Sequence, residues 1–442
     1  MTLTRRVLMI SPHFPPDSTA GTHRVRLLAP HLSEYGWVPT VLTVDPRDYE
    51  GALDPVLAAS VPSNLRVVRS RALPVRVTRP LGVGDLGLRA IEGLWREASH
   101  LMGHERYDAL FITVYPAYPA LLGPLLKKRF RVPFVLDYQD PWVGEWGLTV
   151  GPDARGRPDF RSRLSRFIST RLEPIALRAA NGVTAVSRET YEQALRRNPA
   201  AMPTVTEELP IGWDDRDASF LRAHRPSTVP VMMGGDGLVH LAYVGTLLPT
   251  GFETLRALFA ALARLRERDR AVADRVRVHF FGTSNQRSET APARVLPAAA
   301  EFGLQGLVTE QPGRLDYFDA LQVLMDASAV LLLGSHEPHY TPSKVFPAML
   351  SGRPLLAMYH ARSTVTDLLR RFGGPPRVRL LTYDDDRPAL ALVDDIATEI
   401  GELVRLPASD AGSVDLSVLD AASARSLAGR LAGVFDQVAA SR

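Results

Sequence analysis

The residues best suited to do chemistry gather in three short segments. The most specific is Tyr340-Thr341-Pro342-Ser343-Lys344, followed by the apolar run VFPAML. Thr341 fits a helix N-cap and Pro342 the first helical position. Free backbone N–H groups there, the positive end of the helix dipole and the Lys344 ammonium would hold a diphosphate, with Tyr340, Thr341 and Ser343 around it. A capped helix with a solvated lysine has the same spelling. The second segment, Val135-Leu136-Asp137-Tyr138-Gln139-Asp140-Pro141-Trp142, reads as a strand ending in two carboxylates and a tryptophan. Asp137 and Asp140 have the type needed to move a proton or orient a hydroxyl, and Trp142 offers an apolar wall. Asp140 before proline also fits a turn. The third, Ser11-Pro12-His13-Phe14-Pro15-Pro16-Asp17 running on to Gly21-Thr22-His23-Arg24, is a proline-stiffened loop entering a helix. Such a loop can aim backbone N–H groups at a ligand, and Gly21 allows close approach; an ordinary strand–helix connection is the alternative.

Lesser candidates are Gly245 and Thr246 after LVHLAYV, where backbone and hydroxyl can approach phosphates, and Gly282 after HFF, which can underlie a nucleotide. Neither G-x-G-x-x-G nor G-x-x-x-x-G-K-[ST] occurs, so dinucleotide and P-loop chemistry lose support. The chain has no cysteine, which excludes disulfides, thiolate nucleophiles and Cys-ligated metals. Its eleven histidines show no metal-binding spacing, and His336, Glu337 and His339 read as a loop.

These segments need strand ends to present them. RRVLMIS, VPTVLTVD, LRVVRSR, ALFITV, VPFVLDYQD and NGVTAVS read as strands separated by helical patterns. In GTHRVRLLAPHLSEYG, Val25, Leu28, Ala29 and Leu32 share one helical face, and Gly36 ends it. Alternation of this kind predicts crossover units and parallel, doubly wound sheets. It breaks at the Gly- and Pro-rich stretch from Trp213 to Gly237, then restarts with LVHLAYVG, RVRVHFFG, AVLLLG and RPLLAMY. The expected layout is an α/β chain of two Rossmann-like, doubly wound parallel-sheet domains facing a cleft. The first spans residues 1–213, a linker 214–237, the second 238–412, and a terminal helix 413–442 crosses back onto the first. In that helix Ala424, Leu427, Leu431, Val434 and Val438 form an apolar face that must dock on something.

Composition agrees. Of 442 residues, 45% are hydrophobic and 23% charged, which excludes general disorder. The start, MTLTRRVLMISPHFPPD, lacks the apolar run of a secretory signal. The long uncharged run from Ala109 to Leu126 carries three prolines, so a strand, a turn and a short helix fit it better than a membrane span. The net charge of +4 is uneven: from Arg66 to Arg171 there are 18 Lys/Arg against 10 Asp/Glu. Such a stretch fits either a solvated arginine-rich face or a surface for anionic lipid or an anionic acceptor. No aromatic–basic interleaving of an RNA-binding module is present, so nucleic acid is not an expected partner.

In order and spacing these pieces resemble the glycosyltransferase family 4-like proteins of the GT-B superfamily. FPPDSTAGTHRV resembles their loop [YF]-P-P-x-x-[GS]-[GA]-x-x-R, and VLDYQDPW resembles a D-x-R-D-P-W subgroup with Gln139 in place of the Arg. NGVTAVS, LPIGWD, LAYVGTL, VRVHFFG, DASAVLLLG and TPSKVFPAMLSGRPLLA resemble the later signatures. The resemblance implies sugar transfer in polysaccharide or glycoconjugate assembly, in the cytoplasm or at the inner face of the membrane. A nucleotide-sugar is the co-substrate, bound by Gly245, Thr246, Gly282, Tyr340, Thr341, Ser343 and Lys344. The acceptor (glycan, lipid-linked or small molecule) meets Gly21, Thr22, Arg24, Asp137 and Trp142, with Asp140 and Lys344 catalytic. Retention of configuration, no cofactor and no essential metal are implied as well. One departure stands out: Pro347 and His339 occupy the positions of two glutamates, the second of which binds the nucleotide ribose in relatives. A catalytically degenerate scaffold and a nucleotide-sugar epimerase are the alternatives on this architecture.

Overall fold

The computed structural model describes residues 5–51, 53–143, 160–224, 236–284, 291–335, 344–405 and 414–441, without the side chains of residues 160–162. The chain divides into two compact units: Met1–Asp214 with Ala422–Arg442, and Asp215–Ala421.

In the first unit, seven strands form one parallel sheet: β1 (Arg5–Ile10), β2 (Trp37–Val44), β3 (Arg66–Ser70), β4 (Ala109–Thr113), β5 (Phe134–Tyr138), β6 (Gly182–Ala185) and β7 (Val205–Glu208). Their order is β3-β2-β1-β4-β5-β6-β7. The central strands β4 and β5 are buried throughout, as their unbroken apolar runs require when helices cover both faces. The run after β4 is a short 3₁₀ turn, Tyr118–Leu121, and a helix, Leu122–Phe130. Among the described residues, no helix is long and apolar enough to cross a membrane.

The helix after β1 occupies Thr22–Leu28 and tightens into a 3₁₀ stretch at Ala29–Tyr35, where Pro30 enters. Gly36 closes it at φ 79°, a left-handed cap that glycine adopts without strain. Its buried Val25, Leu28, Ala29 and Leu32 pack against the terminal helix Ala424–Ala440, which supplies Leu427, Leu431, Val434, Phe435 and Val438 to the same core. The Trp37 and Phe435 rings meet edge-on at 5.2 Å, and Trp37 Nε1 donates to Asp436 at 2.8 Å. At about 1.5–3 kcal/mol per buried large side chain, this docking is a major part of the first unit's stability.

The second unit holds β8 (Val239–Val244), β9 (Val276–Phe281), β10 (Val308–Gln311), β11 (Ala329–Leu333), β12 (Leu355–His360) and β13 (Val378–Tyr383), all parallel, in the order β10-β9-β8-β11-β12-β13. Both sheets reverse their winding beside the first strand of the unit, between β1 and β4 and between β8 and β11. Doubly wound sheets bind ligands at the carboxyl ends of strands at that point. Within the stretch read from sequence as a linker, the structure starts a helix, Asp215–Ala223, in the second unit. Asp215 and Asp217 lie in its first turn, where the dipole favours carboxylates.

Candidate active site

In the first unit the loop after β1 is organised by one carboxylate. Asp17, 3% exposed, accepts from Thr19 Oγ1 at 2.5 Å, from Thr22 Oγ1 at 3.0 Å and from His13 Nδ1 at 2.7 Å. Burial alone raises its pKa, but the bonds from His13, Thr19 and Thr22 outweigh this and hold it at about 2. An ionised carboxylate only accepts, so His13 Nδ1 carries the shared proton and a neutral His13 presents a bare lone pair at Nε2. The His13 ring lies between Tyr49 and Tyr115, with centroids at 6.2 and 5.6 Å. Gly21 lets this loop meet the loop after β4: a Cβ there would lie 2.3 Å from Tyr115 Cδ1. Sequence reasoning named Gly21 and Thr22 but missed His13 and Asp17. Their i, i+4 spacing in a loop carries no signal until the loop's path is known.

Arg24 and Asp137, expected to meet an acceptor, are 1% and 0% exposed. Arg24 Nε donates to Asp137 Oδ2 at 2.9 Å, and its other nitrogens donate to the carbonyls of Leu209 and Pro210. Thr184 Oγ1 donates to Asp137 Oδ1 at 2.7 Å. Burial raises the Asp137 carboxyl, opposed by Arg24 and Thr184. In this structure the two form a buried pair that reaches no solvent, and their acceptor contact stays an expectation.

Asp140, two residues past the end of β5, is different. It is exposed, makes no hydrogen bond or ion pair among the described residues, and partial desolvation raises its carboxyl. Beside it, Trp142 is buried edge-on against Tyr118 at 6.4 Å. The Nε1 of Trp142 and the Nε2 of Gln139 are buried donors that meet no acceptor among the described residues. Asp85, whose carboxyl burial raises, feels the His13 ring and in turn raises the Tyr118 phenol, which burial raises first. Tyr118 and Trp142 thus pack together past the carboxyl ends of β4 and β5, with Asp85 near enough to act electrostatically on Tyr118. Their chemistry suits hydroxyl groups and the apolar faces of sugar rings.

In the second unit Lys344 is the organising group. Its Nζ donates to the Tyr243 hydroxyl and sits 3.9 Å from that ring's centroid. The hydroxyl donates onward to the Thr246 carbonyl at 3.2 Å. Desolvation lowers the Lys344 ammonium to about 7. Gly245, at φ 128°, passes against the Lys344 stem, where a Cβ would lie 3.2 Å from Cδ; its Cα lies 3.9 Å from the Cβ position of Gly282, itself at φ 69°. The N–H groups of both glycines are spent on Phe281 and Gln311 carbonyls, at 2.8 and 2.9 Å. Their contribution is room, while the cation comes from Lys344. Thr246 is half-buried beside them. The described helix begins at Val345, with Pro347 in its first turn, where a missing N–H costs nothing. Tyr340, Thr341 and Ser343, together with the expected Thr341 cap and the His336–His339 cluster, lie outside the described residues.

Residues 19–207 match the family model described as a Glycosyl transferase 4-like domain. No curated protein sequence matches the chain. Several solved structures match over nearly their full length. The Anabaena protein HepE in complex with UDP-glucose is 16% identical, with 99% of this chain and 98% of that one covered and a TM-score of 0.53. The α,α-trehalose 6-phosphate synthase of Burkholderia multivorans is 12% identical over 100% and 98%, with a TM-score of 0.60. A UDP-forming α,α-trehalose-phosphate synthase of Burkholderia xenovorans is 10% identical over 99% of both chains, with a TM-score of 0.59. At such identities the likeness speaks for the fold, and the family match adds the lineage of the first unit. Residues 19–207 of the chain are thus similar to a glycosyl transferase 4-like domain, and the chain as a whole shares the fold of these solved structures.

Proposed function

We propose that the chain moves a sugar from a nucleoside-diphosphate donor, held by the second unit, to a hydroxyl of an acceptor held by the first. The observation that carries this reading is Lys344, a desolvated cation fixed on Tyr243 beside the glycines at the carboxyl ends of β8 and β9. A diphosphate there would be met by a cation with little solvent to displace, which is how a leaving group is stabilised. HepE, similar in fold, was solved with UDP-glucose, which makes that compound the first donor to test. On the acceptor side, His13 Nε2 would accept a hydrogen bond that orients the attacking hydroxyl while Asp17 fixes the ring, the proton itself going to the departing phosphate. The acceptor oxygen then bonds to the anomeric carbon as the bond to the diphosphate breaks. The reading includes retention of configuration, with the proton leaving to the departing phosphate, no cofactor or resident metal, and a place in the cytoplasm.

The test is a panel of UDP-, GDP- and dTDP-sugars with simple glycoside acceptors. Nucleotide release, product mass and the anomeric configuration by NMR are read, with and without EDTA. A product of inverted configuration, or activity abolished by EDTA and restored by a divalent ion, would overturn those parts of the reading. Pro347, standing where relatives carry a ribose-binding carboxylate, favours a second reading as a donor-binding scaffold. Calorimetric binding of UDP without turnover on any acceptor of the panel supports that alternative.

A further inference from the structure

Among the described residues, most of the basic side chains between Arg66 and Arg171 fall into two groups. Six arginines pair with carboxylates: Arg66 with Glu105, Arg71 with Asp48, Arg79 and Arg89 with Glu50, Arg96 with Glu92 and Arg106 with Asp108. A second group gathers on two touching helices of the first unit, Leu122–Phe130 and Phe160–Leu177. Lys127 Nζ ties them together through the Ala179 carbonyl at 2.8 Å.

The helix Phe160–Leu177 has an unusual outer face. At about 100° per residue, Leu164, Phe167, Arg171, Ile175 and the following Arg178 fall within a stripe roughly 80° wide. Leu164, Phe167 and Ile175 are 45%, 55% and 54% exposed, and both arginines are exposed as well. The Arg171 guanidinium stacks on Phe167 at 4.4 Å. Arg163 flanks the stripe, and the neighbouring helix adds Lys128 and Leu125, the latter 51% exposed. The only carboxylate among residues 163–178 is Glu173, which points inward, 1% exposed, to Arg197 and Asn198. Among the described residues, the outer face therefore offers large apolar side chains interleaved with cations and no anion.

We infer that this face is a docking surface for an anionic lipid bilayer. Apolar side chains of this size gain by entering the interface between headgroups and acyl chains, and arginines between them meet lipid phosphates. A protein partner of opposite charge, or a second copy of this basic face, fits less well: the first would need its own apolar face, and the second sets like charges together. The inference is independent of the donor chemistry proposed above.

The test is sedimentation of the full chain with phosphatidylcholine vesicles and with vesicles containing about one-third phosphatidylglycerol, in low and high salt. Binding only to the anionic vesicles, weakened by salt, is expected. Arg171→Ala with Arg178→Ala should weaken it by about 30-fold, at about 1 kcal/mol per cation near the surface. Phe167→Asp with Ile175→Asp should weaken it at least as much while leaving the melting temperature unchanged, since both side chains are exposed. Vesicle binding that neither pair alters, or no binding to anionic vesicles, overturns the proposal. So does a dimer in sedimentation velocity that Phe167→Asp dissociates, because a second copy then covers the face.

Discussion

Arg24 and Asp137 stand 113 residues apart in the chain and 2.9 Å apart in the fold, both buried, with the arginine also holding the carbonyls of Leu209 and Pro210. The pair joins the helix after β1, the end of β5 and the segment after β7. Removing one partner leaves the other charge buried and unmatched. Arg24→Ala is expected to cost about 3–5 kcal/mol in urea unfolding of the full chain, and Arg24→Met with Asp137→Leu much less. A single substitution costing under about 1 kcal/mol would mean that the pair does not organise these segments.

Asp17 makes acid stability testable. Its pKa sits below the ordinary carboxylate value, at about 2. Its contribution is therefore complete above about pH 4 and is lost as pH falls toward 2. A shift of this size corresponds to about 2 kcal/mol. Asp17→Asn should be less stable than the parent at pH 7, and the gap should close only as pH falls to about 2 and below. A difference independent of pH would place the cost in shape rather than charge.

Lys344 gives the opposite dependence. Its ammonium is lowered to about 7, so the folded protein holds this proton less tightly than the unfolded chain does. This group makes folding more favourable as pH rises from about 7 toward 10, and Lys344→Met should remove that rise. If a diphosphate binds there, complex formation should draw a proton onto Lys344. Calorimetry of UDP binding at pH 8 in buffers of different ionisation enthalpy should then register uptake. Lys344→Ala should weaken UDP binding about 10- to 150-fold, the worth of a charge-assisted contact. Unchanged affinity removes the diphosphate site from this position.

Much of the scaffold was legible because buried parallel strands are unbroken apolar runs: β1, β4, β5, β11 and β12 all stand out as such. The strands left unread, β7, β10 and β13, lie at sheet edges, where half-exposed residues such as Glu207 and Thr309 break the pattern. The terminal helix was readable from its apolar face. The helix Asp215–Ala223 was hidden among prolines, glycines and aspartates that spell a loop. In the site, Lys344 could be named but its seat on Tyr243, 101 residues away, could not. That Arg24 and Asp137 are each other's partner has no local signal, since 113 residues separate them.

Asp140 is the acceptor-side carboxylate whose role the next substitution tests. It leaves the carboxyl end of β5, where parallel sheets present ligands, and Pro141 stiffens the chain beyond it. A turn-forming aspartate would accept a backbone N–H nearby, and Asp140 accepts none among the described residues. Its carboxyl is raised by partial desolvation, and among the described residues it has no cationic partner. Asp140→Asn keeps size and polarity and removes only the charge. Stability should move by less than about 0.5 kcal/mol, as at other exposed positions, and UDP affinity should hold because Lys344 lies in the other unit. Turnover should fall by about 10²- to 10⁴-fold if the carboxylate exchanges the acceptor proton, with kcat reduced more than KM is raised. A smaller fall carried by KM alone would make Asp140 an anchor for an acceptor hydroxyl. Turnover and melting temperature both at the parent's values would take Asp140 out of the reaction and leave His13 as the acceptor-side group to mutate next.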